Sequence, residues 1–405
     1  AEMRRHLPFD KPRPNWQGDG MKMLDAQAIP QLPSAVRLAD YQPPDWLVPH
    51  VGLDFRLDPA RTIVRSRLAV HRHDRPLVLD GQHLETLSVL VDGVPVNVAP
   101  DGEQLTLHIS GDAAIVEIEV AIAPVRNTRL MGLYATQNRL VTQCEAEGFR
   151  AITWFPDRPD VLSTYSVRLE ADAAAFPILL SNGDRGIAET LMEGRHAVTW
   201  TDPWPKPSYL FALVAGDLAA LTDSFTTASG RHVELAIWTS AAEVPRCAHA
   251  MAALKASMAW DERVYGREYD LDQFNIVAVN DFNAGAMENK GLNIFNSKYI
   301  LADADTATDS DFDGVAAVVA HEYFHNWTGN RVTCRAPEPA RSGWRDRQFL
   351  HSDGVQQGRR SYPHAAHAAG GRWFPQGHRP VFRPARRTGG YLRGLGGGNG
   401  GGNRA

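Results

Sequence analysis

From about Val51 to Leu218 the sequence runs as short segments in which apolar and polar residues alternate or β-branched residues dominate. VGLDFRLD, TIVRSRLAVHRH, LVLDG, LETLSVLVDG, LTLHIS and AIVEIEVAI are examples, set apart by Asp-Gly, Gly-Asp and Pro. In an extended chain successive side chains face opposite ways, so each run can bury one face and wet the other, with the Gly and Pro signals as turns. The pattern predicts an all-β domain over residues 37–218. After Leu218 the texture changes. A strand-like RHVELAIWTS is followed by residues 245–265, whose apolar Met251, Leu254, Met258 and Trp260 recur near helical spacing. FNIVAVNDF reads as a strand, and AGAMENKGLNIFNSKYIL as a glycine-punctuated edge strand or loop. Residues 309–326 read as a helix capped by Thr308 or Asp309, with Val315, Val318, Val319 and Phe324 on its apolar face. The fold class predicted is multidomain: an N-terminal all-β domain followed by a mixed α/β domain over residues 219–335.

The 405 residues allow two or three domains. A leader over residues 1–36, polar and rich in proline, with Met3, Met21 and Met23 close behind Ala1, is set apart from the fold. It lacks the apolar stretch of a signal peptide, and no run of about 18 apolar residues occurs anywhere. A net charge of −5 argues against nucleic acid or a membrane surface as partner. Cys144, Cys247 and Cys334 are odd in number, widely spaced and without a CxxC pair, which points away from a disulfide framework and toward the reducing cytoplasm. Residues 336–405 are dominated by Arg, Gly, His, Pro and Ala and end in GLGGGNGGGNRA, a composition unable to bury enough apolar surface to order itself.

His321-Glu322-Tyr323-Phe324-His325 carries the chemistry. A helix sets two histidines four apart on one face, where both imidazoles can reach one zinc ion, and it leaves Glu322 beside that ion. A carboxylate there can take a proton from water whose pKa the metal lowers to about 7, which is the machinery for hydrolysing an amide. An amphipathic surface helix could carry the same letters by chance, so context decides.

That context lies upstream, where Glu288 stands 33 residues before His321 within Gly285-Ala286-Met287-Glu288-Asn289. The two motifs together resemble the aminopeptidase N family of zinc metallopeptidases. TQCEAEGFR, DRPDVLSTYSV, LLSNGDR, DPWPKPSYLFALVAGD, NKGLNIFNSKY and HEYFHNWTGNRVTCR also look like its bacterial form, so the resemblance covers roughly residues 40 to 335. It implies that the α/β domain is of the thermolysin-like gluzincin class and holds one Zn2+, with His321 and His325 as ligands and Glu322 as general base. Glu288 would bind the substrate's free α-amino group, a carboxylate–ammonium pairing that restricts cleavage to the first residue of a peptide. Gly285 and Ala286 would offer backbone to an extended peptide, with Met287 and Asn289 completing the string. Glu145 would be a second acidic contact to the amino group, and Gln143 would lie near the substrate's first side chain. Taken alone, each of these has a bland reading as a turn or a surface carboxylate. Ala284 stands where bacterial members usually have a methionine that shapes the first specificity pocket, and a roomier pocket is the expectation.

The resemblance breaks after Arg335. The family's third zinc ligand is a glutamate nineteen residues beyond the second histidine, and that position here is Trp344. Glu338 and Asp346 sit in Pro-rich or Arg-rich surroundings that offer no helix to aim them, and Tyr362 and Tyr391 stand in contexts unlike that of the family's oxyanion-binding tyrosine. A change of reading frame or of splicing just after Arg335 is the expected explanation; the alternative is a natural chain with a divergent basic tail. The expected function is hydrolysis of N-terminal residues from peptides by a monomer, with weak zinc binding for want of the third ligand. A peptide-binding pseudoenzyme stays open beside it. A related zinc hydrolase acting on an epoxide would have a different lining, and in an endopeptidase Glu288 and Glu145 would obstruct the continuing chain.

Overall fold

A computed structural model describes residues 41–72 and 75–333. The leader, the tail and the positions Cys334, Glu338, Trp344, Asp346, Tyr362 and Tyr391 lie outside these residues.

The first unit is built of strands. β1 (Trp46–Arg56), β2 (Thr62–Arg72), β3 (Leu77–Asp80), β4 (Glu85–Val91), β5 (Val94–Pro95), β6 (Gln104–Leu107) and β7 (Ala113–Ile122) come first. β8 (Gly132–Thr136), β9 (Arg139–Gln143), β10 (Ser163–Asp172), β11 (Ile178–Ser181), β12 (Asp184–Thr190), β13 (Arg195–Lys206) and β14 (Leu213–Gly216) follow. Eight of them form a sheet in the order β12-β13-β10-β1-β2-β7-β4-β5, four form a second in the order β11-β14-β9-β8, and β3 pairs with β6. The two-residue period decides which face is buried. Val51, Leu53 and Phe55 of β1, Val64 and Leu68 of β2 and Val116, Ile118 and Val120 of β7 turn inward. On the outer face Arg65 pairs with Glu119 and Arg67 with Glu117. Leu140, Val141, Leu180, Leu213 and Val214 of the second sheet share the same core, where the Phe55 and Phe211 rings stack at 6.0 Å.

Strand pairing changes partners after Gly216. β15 (Ala219–Thr226), β16 (His232–Thr239), β17 (Gln273–Val279), β18 (Ala286–Met287) and β19 (Leu292–Asn296) form a sheet in the order β15-β16-β17-β19-β18, parallel across β16, β17 and β19. Helix α1 (Ala248–Tyr265) makes the crossover between β16 and β17, as parallel neighbours require. Helix α2 (Asp309–Phe324) packs beside it, and Met251, Leu254, Met258, Val315, Val318 and Val319 form a core with Ile237, Phe274 and Ile276 of the sheet. Thr308 caps α2: its hydroxyl accepts from Asp311 N–H while the Asp311 carboxylate accepts from Thr308 N–H at 2.8 Å. Together with the all-β unit before it, this gives the fold class expected.

Three details depart from the sequence reading. The stretch read as an edge strand or loop contains both an edge strand, β18, and an interior one, β19, joined by a turn at Gly291 with φ +73°. On α1 the position read as apolar, Trp260, is half-buried and Asp261 is buried instead; on α2 Tyr323 is buried and Phe324 half-buried. Both shifts arise because helical periodicity constrains the direction of a stripe only to within a residue, while the partner surface chooses which side chain it covers. Among the described residues no helix is long and apolar enough to cross a membrane.

Candidate metal centre and peptide site

One turn of α2 brings the Nε2 atoms of His321 and His325 to 3.1 Å, with the rings 85° apart and centroids at 4.6 Å. His325 Nδ1 lies 2.8 Å from the carbonyl of Thr328. A carbonyl only accepts, so Nδ1 carries the proton and Nε2 is left with its lone pair toward His321. The chain can turn back beneath the ring because residue 329 is glycine: its φ is +137°, and a Cβ there would stand 2.7 Å from His325 Nδ1. Two imidazole nitrogens on a tetrahedral zinc ion would sit about 3.3 Å apart for bonds of about 2.05 Å, so this donor pair fits Zn2+. The carbonyl bonded to the outer nitrogen is the usual orienting partner of such a ligand.

Glu322 is 4% exposed. Burial pushes its carboxyl well above the usual carboxylate range, and the negative charges of Glu288 and Glu145 push it further. Among the described residues the metal-competent group that converges here is Glu288, Glu322 and His325, whose ligand atoms lie within 4.8 Å of one another. His321 joins it through His325. The site thus has an imidazole side and a carboxylate side.

Besides Glu322 on α2, the carboxylate side comes from two separate stretches of chain. Gly285, Ala286, Met287, Glu288 and Asn289 run along and past β18, at the end of the sheet. Ala286 pairs with Phe295 and Met287 with Ile294, and the Gly285 carbonyl accepts from Asn296 N–H at 2.9 Å. One edge of β18 is therefore spent on β19. Gln143 ends β9, is buried, and has an Oε1 without a hydrogen-bond partner among the described residues. Glu145 follows it and lies near enough to raise the Glu322 carboxyl. The β unit reaches the site through this end of β9, and its neighbour β8 is tied to the second unit by Tyr134 O–H donating to the Asp281 carbonyl at 3.1 Å and Thr136 O–H donating to the Asp281 carboxylate at 2.5 Å. Ala284 packs against the β-unit core.

Beneath these groups lies a polar layer that the sequence reading missed. The Lys290 ammonium is buried and donates to Asn326 Oδ1 at 2.7 Å and to Asp270, which also pairs with Arg331. Arg331 stacks 3.8 Å over Trp204 of β13, and Trp204 Nε1 donates to the Asp270 carbonyl at 2.9 Å. Asn330 Nδ2 donates to the Glu288 carbonyl, and Asn182 Nδ2 to the Lys290 carbonyl. All of these residues but Asp270 lie in strings that carried the family resemblance, but single lysines and asparagines without regular spacing give no chemical signal of their own.

The Peptidase M1 N-terminal domain family matches residues 50–210, and the Peptidase family M1 domain matches residues 249–338. Over 309 residues the chain is 56% identical to Aminopeptidase N of Caulobacter vibrioides and 50% identical to that of Escherichia coli, in each case over 75% of this chain and 36% of the relative. Among solved structures, Legionella pneumophila aminopeptidase A in complex with aspartic acid superposes with a TM-score of 0.71 at 36% identity, covering 74% of this chain and 36% of that one. The chain spans about a third of the length of these relatives.

Proposed function

The chain belongs to the M1 peptidase family, and on that premise we propose that it carries the zinc-holding and amino-terminus-gripping part of an aminopeptidase that removes the first residue of a peptide. The observation that carries the proposal is the convergence of the two Nε2 atoms at 3.1 Å beside the paired carboxylates of Glu322 and Glu288. His321 and His325 would hold one Zn2+. When bound, the ion supplies a Lewis acid and brings the pKa of water to about 7.

The remaining work falls to side chains of the protein. A peptide extends along β18, whose outer edge has no strand beyond it in the described sheet, and its backbone pairs there in strand fashion. Its α-ammonium meets Glu288 and Glu145, and a chain that continued past its first residue would run into these two carboxylates. Glu322 takes a proton from the attacking water as the oxygen bonds to the first peptide carbonyl carbon. It returns that proton to the leaving amine nitrogen as the C–N bond breaks. Glu322, beside both Glu288 and the imidazole pair, is placed to make both transfers. Gln143 and Ala284 border the space for the first side chain, with the small Ala284 leaving room for bulky residues.

Zinc content of the 405-residue chain, measured together with hydrolysis of alanyl- and leucyl-anilides, tests the proposal. Weakly held zinc, up to about one per chain, with slow turnover of both substrates is expected; a chain that takes up no zinc at saturating concentration would sink it. A second reading, a chain that binds peptides without cutting them, is favoured by Trp344 at the position of the family's third ligand. It would give amino-terminal peptide binding without turnover.

A further inference from the structure

β18 ends at Met287, so the carbonyls that follow leave the strand ladder and need donors from elsewhere. Asparagine amides reach three of them, the Asn289 carbonyl also accepting from Leu292 N–H at 3.0 Å. Asn330 Nδ2 donates to the Glu288 carbonyl at 2.9 Å, Asn293 Nδ2 to the Asn289 carbonyl at 3.0 Å and Asn182 Nδ2 to the Lys290 carbonyl at 2.8 Å. The three come from different places. Asn293 belongs to β19, the neighbouring strand of the same sheet, and Asn182 follows β11 in the β unit. Asn330 comes from the loop behind α2, and its own backbone N–H donates to the carbonyl of His325 at 2.9 Å. One residue, 4% exposed, thus ties the backbone of an imidazole ligand, through its own N–H, to the backbone of the amino-group carboxylate, through its side chain.

We propose that Asn330 is a positioning residue that sets the Glu288 carboxylate relative to His325, and with it the preference for a ligand bearing a free α-amino group. The inference rests on the peptidase reading given above. The Glu288 side chain leaves the Cα next to the carbonyl that Asn330 holds, so rotation of that peptide unit would swing the carboxylate. A displacement of about 1 Å is enough to spoil a charge-assisted contact. The donor end of the amide does this work, because Asn330 Oδ1 has no hydrogen-bond partner among the described residues. Lys290, two residues after Glu288, and Asn326, one after His325, add a second tie between the same two stretches at 2.7 Å.

The test uses the full 405-residue chain with zinc added and two ligands, leucine hydroxamate and 4-methylpentanohydroxamate, which differ only in the α-amino group. Calorimetry gives the ratio of their affinities. A charge-assisted contact predicts that wild type favours the amino form by about ten- to a hundredfold. Asn330→Asp keeps the shape but turns the donor into an acceptor facing the Glu288 carbonyl, and Asn330→Ala removes it without adding a buried charge. Both are expected to cut the ratio about fivefold or more, as loss of one hydrogen bond would, while zinc affinity and binding of the amino-free hydroxamate stay within about twofold. An unchanged ratio in the variants overturns the proposal, as does equal weakening of both ligands, the mark of a merely structural residue. If melting curves reveal that neither variant folds, Asn330 holds the fold rather than the carboxylate and the proposal is likewise overturned. Absence of any amino preference in wild type defeats the peptidase reading itself, and is told apart because it appears before any substitution.

Discussion

The Lys206 ammonium lies 3.7 Å above the centre of the Tyr165 ring and 3.0 Å from Asp202 Oδ2, with all three side chains no more than 1% exposed. Asp202 and Lys206 form a buried charge pair. Burial lowers the lysine's pKa, Asp202 opposes that, and the charge of Lys290 adds to the lowering. Lys206→Met would leave the Asp202 charge unpaired in the core and should cost roughly 3–5 kcal/mol. Adding Asp202→Asn to it should recover part of that loss. Urea unfolding of the two variants measures both; a single substitution costing under about 1 kcal/mol would mean that the buried pair does not hold the fold.

Zinc should stabilise the fold through His321 and His325. At a hundredfold excess over Kd the gain is about 2.7 kcal/mol, read as a rise in Tm that a chelator reverses. His325→Ala should abolish the zinc response and leave the zinc-free Tm close to that of wild type, because the histidine is only half-buried. A variant that keeps the full response would place the metal elsewhere.

Gly183 has φ +90°, and a Cβ on it would meet the Thr201 carbonyl oxygen at 2.2 Å. The obstacle is backbone in β13 and cannot rotate away. Gly183→Ala should therefore destabilise by at least about 2 kcal/mol in thermal or urea melts. It should also disturb Asn182, whose amide holds the Lys290 carbonyl.

Asp261 is buried on α1, and desolvation raises its pKa from 3.8 to about 7. A folded pKa above the unfolded one means that the folded state keeps the proton. The stability this group allows is complete below about pH 4, falls as pH rises, and levels off above about pH 7, a loss of up to roughly 4 kcal/mol. Asp261→Asn should remove this dependence and make the chain more stable than wild type at pH 8 but not at pH 4. Parallel slopes of stability against pH from 4 to 8 in the two proteins would contradict the assignment.

Much of the architecture was legible in local pattern. The two-residue alternation of β1, β2 and β7 gives away which face is buried. Thr308 with Asp311 marks the start of α2, and His321 and His325 must share a face once that helix forms. These depend only on backbone periods of 2 and 3.6, which neighbouring residues settle among themselves. The Glu288 and Glu145 assignments came from resemblance, because an isolated carboxylate carries no period and no signal.

What the tertiary structure decided is who meets whom. Sheet order sets β18 at the edge, and the pairing of β9 with β14 and β8 delivers Gln143 and Glu145 to a helix almost 180 residues further on. The amides of Asn182, Asn293 and Asn330 serve carbonyls beyond the end of β18 that have left the strand ladder inside a buried region, while Lys290 and Asn326 meet each other and Asp270. Sequence alone determined the periodic elements and the histidine spacing. The partners of each unpaired polar group follow only from packing, since burial removes water and leaves each such group to whichever donor the fold has brought within reach.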